Sequence, residues 1–298
     1  MTTVIDMPPS LDDHSFEQIF DQLAQIPPDE KILLDARRTR WASPFGLTAL
    51  LTVAQTRLER PALAVPENDD TASYWSRASF FKHAENLYDI SGRLPRSRQA
   101  SESSVLLEVT PVVHTQDIHT VVENIQQRAR IILQEKLHLQ SKITMRFTMV
   151  LSEICQNVIE HAGTGGWVAV QSYKWQQRLG GRNVVVIAVC DAGMGFRKSL
   201  ESAQGPRPHD DRWGDGMALE DTIMKGVSRF RDPGRGQGLA GVKRFIGTWD
   251  GKLSVRSGTA RIAIVPEWDP GDDPMREGLA QFPGAQVQIT IPERMADA

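Results

Sequence analysis

The apolar positions of this chain fall into short runs and helical stripes that alternate along its first hundred residues. Residues 31–36 (KILLDA) form a brief continuous apolar run, which predicts a short buried strand. Leu47, Leu50, Leu51, Ala54 and Leu58 then recur at helical spacing within Phe45 to Leu58, so a turn and a helix follow. Residues 62–66 (ALAVP) predict another strand, and Asp69 to Tyr88 another helix with Asp69 or Asp70 as its N-cap. Residues 1–95 therefore read as a small α/β domain.

A stretch rich in Ser and Arg, SGRLPRSRQASESS, breaks this pattern and predicts a linker over 96–104. Its Arg93, Arg96 and Arg98 read more simply as solvated linker than as a binding patch. A second domain, 105–298, opens with VLLEVTPVV as a strand, then a helix from Thr120 to Leu137 and another from about Ser141 to Ala162. Trp167 to Trp175 and Asn183 to Cys190 read as strands, and the turn signal RLGGR between them suggests a hairpin. Residues 251–257, 259–265 and 285–291 supply three more strands. Between Phe196 and Gly234 the pattern gives way to Gly, Pro and charge, with one predicted helix at Met217 to Arg229. An irregular insert of that length in a compact domain is usually a functional loop or lid, here 196–234.

Length and composition fit this picture: 298 residues suit two cores, and 40% hydrophobic with 24% charged residues is ordinary for a folded protein. A formal net charge of -3 gives no reason to expect nucleic acid or an anionic membrane as a partner. No run of eighteen or more apolar residues occurs, and the acidic N-terminus lacks the features of a signal peptide, so a cytoplasmic location is expected. Cys155 and Cys190 sit in apolar patterns without CxxC spacing, which predicts buried thiols and neither disulfide nor zinc.

Three segments carry candidate chemistry. A 100° step along the helix ending at Ala162 places Phe147, Leu151, Ile154, Cys155 and Val158 on one face, and Glu153, Asn157, Glu160 and His161 on the other. A solvated face explains those four polar residues equally well. Next, the apolar run VVVIAVC leads into Asp191 and then AGMGF, where Gly193 and Gly195 permit backbone conformations or close approaches that a side chain forbids. An aspartate there is well placed to accept hydrogen bonds from a ligand's amino group, although strand-to-turn junctions are often Asp and Gly without any ligand. Last comes GRGQGLAGVKRFI, a glycine-rich loop entering a helix with apolar Leu239, Val242, Phe245, Ile246 and Trp249. Backbone amides in such a loop and at a helix N-terminus attract phosphate, and Arg235 adds a charge-assisted donor; a hinge before a helix is the plainer alternative.

The order of these segments resembles the GHKL, or Bergerat-fold, family of ATP-binding domains over roughly residues 105–292. Glu153 and Asn157 match its N box, Asp191, Gly193 and Gly195 its first glycine box, and Gly234, Gly236, Gly238 and Gly241 its second. The resemblance implies an α/β (α+β) sandwich in which Asn157 helps hold Mg²⁺, Asp191 reads the adenine amino group, and Gly236, Gln237, Gly238 and Leu239 wrap the phosphates of ATP. Glu153 would be the catalytic base, and 196–234 the ATP lid. Within the family, EICQNVIEHA is most similar to the bacterial anti-sigma factor serine kinases, with Glu153, Asn157 and His161 at their spacings.

The first domain, with ILLDARRTRWASPFGLTALLTVAQ, resembles the STAS domain of anti-sigma factor antagonists over about residues 10–90. Where that family carries its phosphorylatable Ser, this chain has Pro44 or Phe45, with Ser43 one position away. The pair of resemblances implies a partner-switching regulator that phosphorylates Ser or Thr on a protein partner, itself a regulator or antagonist. The alternatives are an ATP-gated interaction module with little turnover, and a slow ATPase; relatives often pair through this domain, so a homodimer is also implied.

Overall fold

The computed structural model of the chain describes residues 2–95, 105–114, 116–124, 141–157, 162–204, 213–227 and 237–293. It holds a mixed α/β arrangement of two principal sheets. In the N-terminal unit, β1 (Thr3–Asp6), β3 (Ile32–Asp35), β5 (Ala62–Ala64) and β6 (Asp89–Ser91) form a parallel sheet in that order. A small parallel pair, β2 (Ser10–Leu11) and β4 (Trp41–Ala42), lies beside it. The connecting helices are α1 (Phe16–Leu23), α2 (Pro44–Gln55), α3 (Asp69–Arg77) and α4 (Phe80–Leu87).

α2 begins where the sequence supplies a start signal. Ser43 Oγ accepts from the Gly46 amide at 3.2 Å, and Pro44 takes the first helical position, where its missing N–H is no loss. Every residue from Pro44 to Ala54 is buried, a helix apolar on all sides because it is covered on all sides. The stripe expected to reach Leu58 stops short: the helix ends at Gln55, and Leu58 is 78% exposed. The single helix expected from Asp69 to Tyr88 is two, interrupted at Ser79, whose φ of 59° is left-handed. Asn68, rather than Asp69 or Asp70, is its N-cap, accepting from the Thr71 amide at 2.9 Å.

The C-terminal unit is a seven-stranded antiparallel sheet in the order β12-β11-β10-β13-β9-β8-β7. Its strands are β7 (Val105–Val112), β8 (Gly166–Trp175), β9 (Arg182–Asp191), β10 (Lys252–Gly258), β11 (Ala260–Ile264), β12 (Met275–Arg276) and β13 (Phe282–Pro292). β8 and β9 form the expected hairpin, with the one-turn helix α7 (Gln176–Leu179) and Gly180 and Gly181 at positive φ between them. Helix α5 is described over 116–124, so the rest of the helix expected to Leu137 lies outside the described residues. Helix α6 is described as Ser141–Asn157 and α10 as Gln237–Thr248.

The insert between Phe196 and Gly234 is less irregular than its composition implies. Gly195–Gln204 is helical (α8), and Asp215–Leu219 (α9) runs into a π-helical turn at Glu220–Met224, in place of the helix expected at Met217 to Arg229. Leu200, Ala218, Leu219 and Ile223 are buried there, so apolar positions sparse in sequence still anchor these helices to the sheet.

Continuous apolar runs in β8 and β9 reflect burial on both faces. Val185, Ile187 and Val189 point into a core shared with Leu151, Ile154 and Cys155 of α6 and Val242 and Ile246 of α10. The alternate residues Ala188 and Cys190, with Trp167 and Ala169, point the other way and join the core of the N-terminal unit. α2 lies against β8 and β9 on that face: Thr48 Oγ1 donates to Cys190 Sγ at 3.3 Å, and Trp167 Nε1 to Gln55 Oε1 at 3.0 Å. Both cysteines are buried and unpaired, as expected, with burial pushing their thiols up to about 12.

A buried ion pair completes this junction. Arg256 of β10 donates to Glu17 of α1 at 2.9 Å and to the carbonyls of Gly258 (3.1 Å) and Ala280 (2.6 Å), with its guanidinium 4.4 Å from the Phe20 ring centroid. Glu17→Ala strands that cation and should destabilise the fold by about 3–5 kcal/mol. Glu17→Leu combined with Arg256→Met should recover most of the loss in chemical denaturation, and an additive double variant would show that the pair is not coupled.

Candidate functional site

The helix-facing side of β9 ends in Asp191, in line with Val185, Ile187 and Val189. Asp191 is 4% exposed, and its Oδ1 accepts from the Gly193 amide at 2.8 Å. Burial pushes its carboxyl up to about 7, against hydrogen bonds from the Gly193 and Ala285 backbones that pull it down. A carboxyl raised by burial at the mouth of a strand marks a candidate functional group.

The surroundings of Asp191 are built from glycine. Gly284 at the start of β13 has φ of 77°, and a Cβ there would lie 2.1 Å from the Asp191 carbonyl oxygen and 2.5 Å from its Oδ1. Gln286 Nε2 donates to the same carbonyl at 3.1 Å. Gly195 turns the chain at φ of 74° towards Ser257, whose hydroxyl accepts from the Phe196 amide (3.1 Å) and donates to Gly284 (2.7 Å). Gly193 serves a close approach: a Cβ would meet the Ala162 carbonyl oxygen at 2.2 Å. The first glycine segment is thereby pressed onto the chain that follows α6.

On α6, Leu151, Ile154 and Cys155 face the sheet, as the 100° projection requires; the side chains of Phe147 and Val158 lie outside the described set. Glu153 is exposed and Asn157 half-buried, one helical turn apart. His161, Arg235 and Gly236 lie outside the described residues. Gln237, Gly238 and Leu239 open the described part of α10, which packs on α6. Free N–H groups of a first turn and the helix dipole favour an anion. At Gly241 a Cβ would meet nothing within 4 Å, so packing does not require glycine there.

Sequence reasoning missed three supports. Gly284, Gln286 and Ser257 come from strands that read only as core; the one available signal was the Pro-Gly step in FPGAQVQIT. It also missed Asp215, whose carboxylate accepts from Thr259 N (2.8 Å) and Oγ1 (2.9 Å) and so ties α9 to the β10–β11 turn. Trp213 Nε1 donates to Glu201 at 2.8 Å, joining the two described ends of the insert.

A family model described as "Histidine kinase-, DNA gyrase B-, and HSP90-like ATPase" matches residues 143–295, just over half of the chain. The match takes in α6, the Asp191 corner and α10, and leaves the N-terminal unit outside. No curated protein matches the sequence significantly. No helix among the described residues is long and apolar enough to cross a membrane.

The Asp191 carboxyl gives a pH signature. Its ordinary value is 3.8 and its folded value about 7, so between those pH values the folded chain holds a proton that the unfolded chain has released. Unfolding then releases a proton, and stability from this group falls as pH rises across that window. Asp191→Asn should flatten that decline in denaturation midpoints of the ligand-free protein, whereas unchanged pH profiles would mean an ordinary carboxyl.

Proposed function

We propose that this chain, which belongs to the histidine kinase-, DNA gyrase B- and HSP90-like ATPase family, binds ATP with Mg²⁺ at the Asp191 corner and acts as a serine/threonine kinase on a separate protein partner. The observation that carries the binding reading is the buried carboxylate at the end of β9, held by glycines too close to their neighbours to bear a side chain. Such a group suits an amino-bearing heterocycle, which supplies the donors that burial has taken from it.

In this reading Asp191 accepts from the adenine amino group, and Gly193 and Gly195 shape the backbone beside it. The first turn of α10, Gln237 to Leu239, with Gly236 and Arg235 before it, offers amides and charge to the phosphates. Asn157 on α6 holds Mg²⁺ through its amide oxygen, with His161 completing the N-box spacing. ATP supplies a transferable γ-phosphoryl group. Glu153, exposed on α6, takes the proton of the incoming hydroxyl as that oxygen's bond to phosphorus forms and the β–γ bridge breaks. The insert 196–234, of which 205–212 and 228–234 lie outside the described residues, is assigned the role of ATP lid.

A partner in trans is favoured by the state of Ser43. It is 2% exposed and its hydroxyl caps α2, beneath the junction with the large sheet. Pro44 and Phe45, which replace the hydroxyl of the antagonist-like pattern, have nothing to phosphorylate. This chain's own N-terminal unit is therefore a poor substrate, and it serves as a docked module in partner switching. The same burial favours a second reading, an ATP-gated interaction module with little turnover.

Purified protein and its Asn157→Ala variant, incubated with Mg²⁺ and γ-labelled ATP in cell extract, separate the two. Asn157-dependent label on a discrete protein is the kinase result, and nucleotide retention without transfer is the gated module. Asp191→Asn should weaken ATP binding by about 1–3 kcal/mol, the loss of a charged hydrogen bond. Glu153→Gln should bind as wild type and lose turnover, and full turnover would remove Glu153 from its role.

A further inference from the structure

The described residues form a cavity separate from the Asp191 corner. It lies on the opposite face of the large sheet, at the junction with the N-terminal unit, and encloses about 420 Å³. That is within the range of small-molecule sites. One wall comes from the N-terminal unit, with Asp13 and Trp41; the other comes from the sheet, with Lys174, Trp175 and Gln288, and Arg178 of α7 beyond them.

Two of these residues are anomalous. Asp13 and Gln288 are each 8% exposed, and Asp13 Oδ2 and Gln288 Oε1 have no hydrogen-bond partner among the described residues. No ion pair is made to the Asp13 carboxylate within that set either. Buried acceptors are ordinarily satisfied, because an unmet one forfeits its hydration. Neighbouring polar groups do not share this state. Asp12 accepts from the amides of His14 and Ser15. Lys252 is held by Asp269 at 2.7 Å and Asp272 at 2.5 Å, with His14 Nε2 at 3.4 Å. The cation among His14, Asp269 and Asp272 is thus the protein's own ammonium, which argues against a metal there.

The remaining charges are arranged by depth. Asp13 is a buried acidic residue, and Lys174 and Arg178 are exposed basic residues at the rim. The Arg178 guanidinium lies 5.7 Å from the Trp175 ring centroid, and Trp41 packs on Tyr173 at 5.5 Å, so the indoles are held as walls. A negative interior, aromatic sides and a positive rim are complementary to a molecule with an ammonium at one end, an apolar body and a carboxylate at the other.

We infer that this cavity is a binding site for a small zwitterion of the free amino-acid class, its ammonium directed to Asp13 and Gln288 and its carboxylate to Lys174 and Arg178. The site is separate from the proposed nucleotide site and does not depend on that reading. Its ligand would bridge the N-terminal unit and the sheet. β13 carries both Gln288 and, two residues earlier, Gln286, which holds the Asp191 carbonyl. Occupancy is thereby placed one strand away from the family's own site.

The test is titration of the full chain with each standard L-amino acid, read by calorimetry and by quenching of tryptophan emission. The N-acetyl and decarboxylated counterparts of any binder are run beside it. Saturable binding is expected for at least one amino acid, about tenfold or more weaker when either charged end is removed. Asp13→Asn, isosteric and checked for folding by circular dichroism, should weaken it by a similar factor. Lys174→Gln, on the exposed rim, provides a variant with little risk to folding and should weaken it also. Asp191→Asn should leave it unchanged, which keeps the outcome distinct from that of the nucleotide site. No saturable binding across the panel, equal binding of the amine or N-acetyl form, or full binding in both Asp13→Asn and Lys174→Gln would overturn the assignment.

Discussion

Burial of the large sheet on both of its faces is the constraint from which the rest of this molecule follows. A β-strand sends alternate side chains to opposite sides, so the continuous apolar runs at 167–170 of β8 and 184–190 of β9 require two covering layers. α6, α9 and α10 form one layer, and α2 with its own parallel sheet forms the other. The small residues Ala169, Ala188 and Cys190 on the second face admit a helix closely, while Val185, Ile187 and Val189 fill the first. The family match and the N-terminal unit thus meet across a single layer of backbone.

That arrangement explains where polar chemistry is found. Interior positions of the sheet are committed to packing, so ionisable groups gather at strand ends and seams. Asp191 occupies the first kind of place, where β9 leaves the core and glycines let three segments converge on one carbonyl and one carboxylate. Arg256, Lys252 and Arg261 occupy the second, each paired with carboxylates because no solvent reaches them there.

Much of this was legible from pattern alone. Runs such as VVVIAVC and the stripe of α2 declare burial whatever covers them, and Asp191, Gly193 and Gly195, ordinary at a strand-to-turn junction, stood out only through their order between the polar face of α6 and the glycine-rich loop. Other features were hidden for physical reasons. TVID and the α1 segment are short, and their apolar residues acquire meaning only against distant partners. The break at Ser79 depends on a single left-handed residue that composition does not mark. α8 and the π turn after α9 follow a few buried side chains in a stretch dominated by Gly, Pro and charge, where tertiary contact outweighs propensity. Gly284 and Gln286 became part of the site only through β13 pairing with β9. Nothing in the sequence announced that α2 would pack against the large sheet as well as within its own unit.

That shared helix has a thermodynamic consequence. Residues Pro44 to Ala54 lie in a core that the N-terminal unit shares with β8 and β9 of the large sheet, so neither half can melt while the other keeps its full complement of contacts. The two units then behave as one cooperative system, and any molecule that binds the folded state of either half raises the melting temperature of both by mass action. Communication between the units needs no moving part: it is already present as a joint free energy of folding.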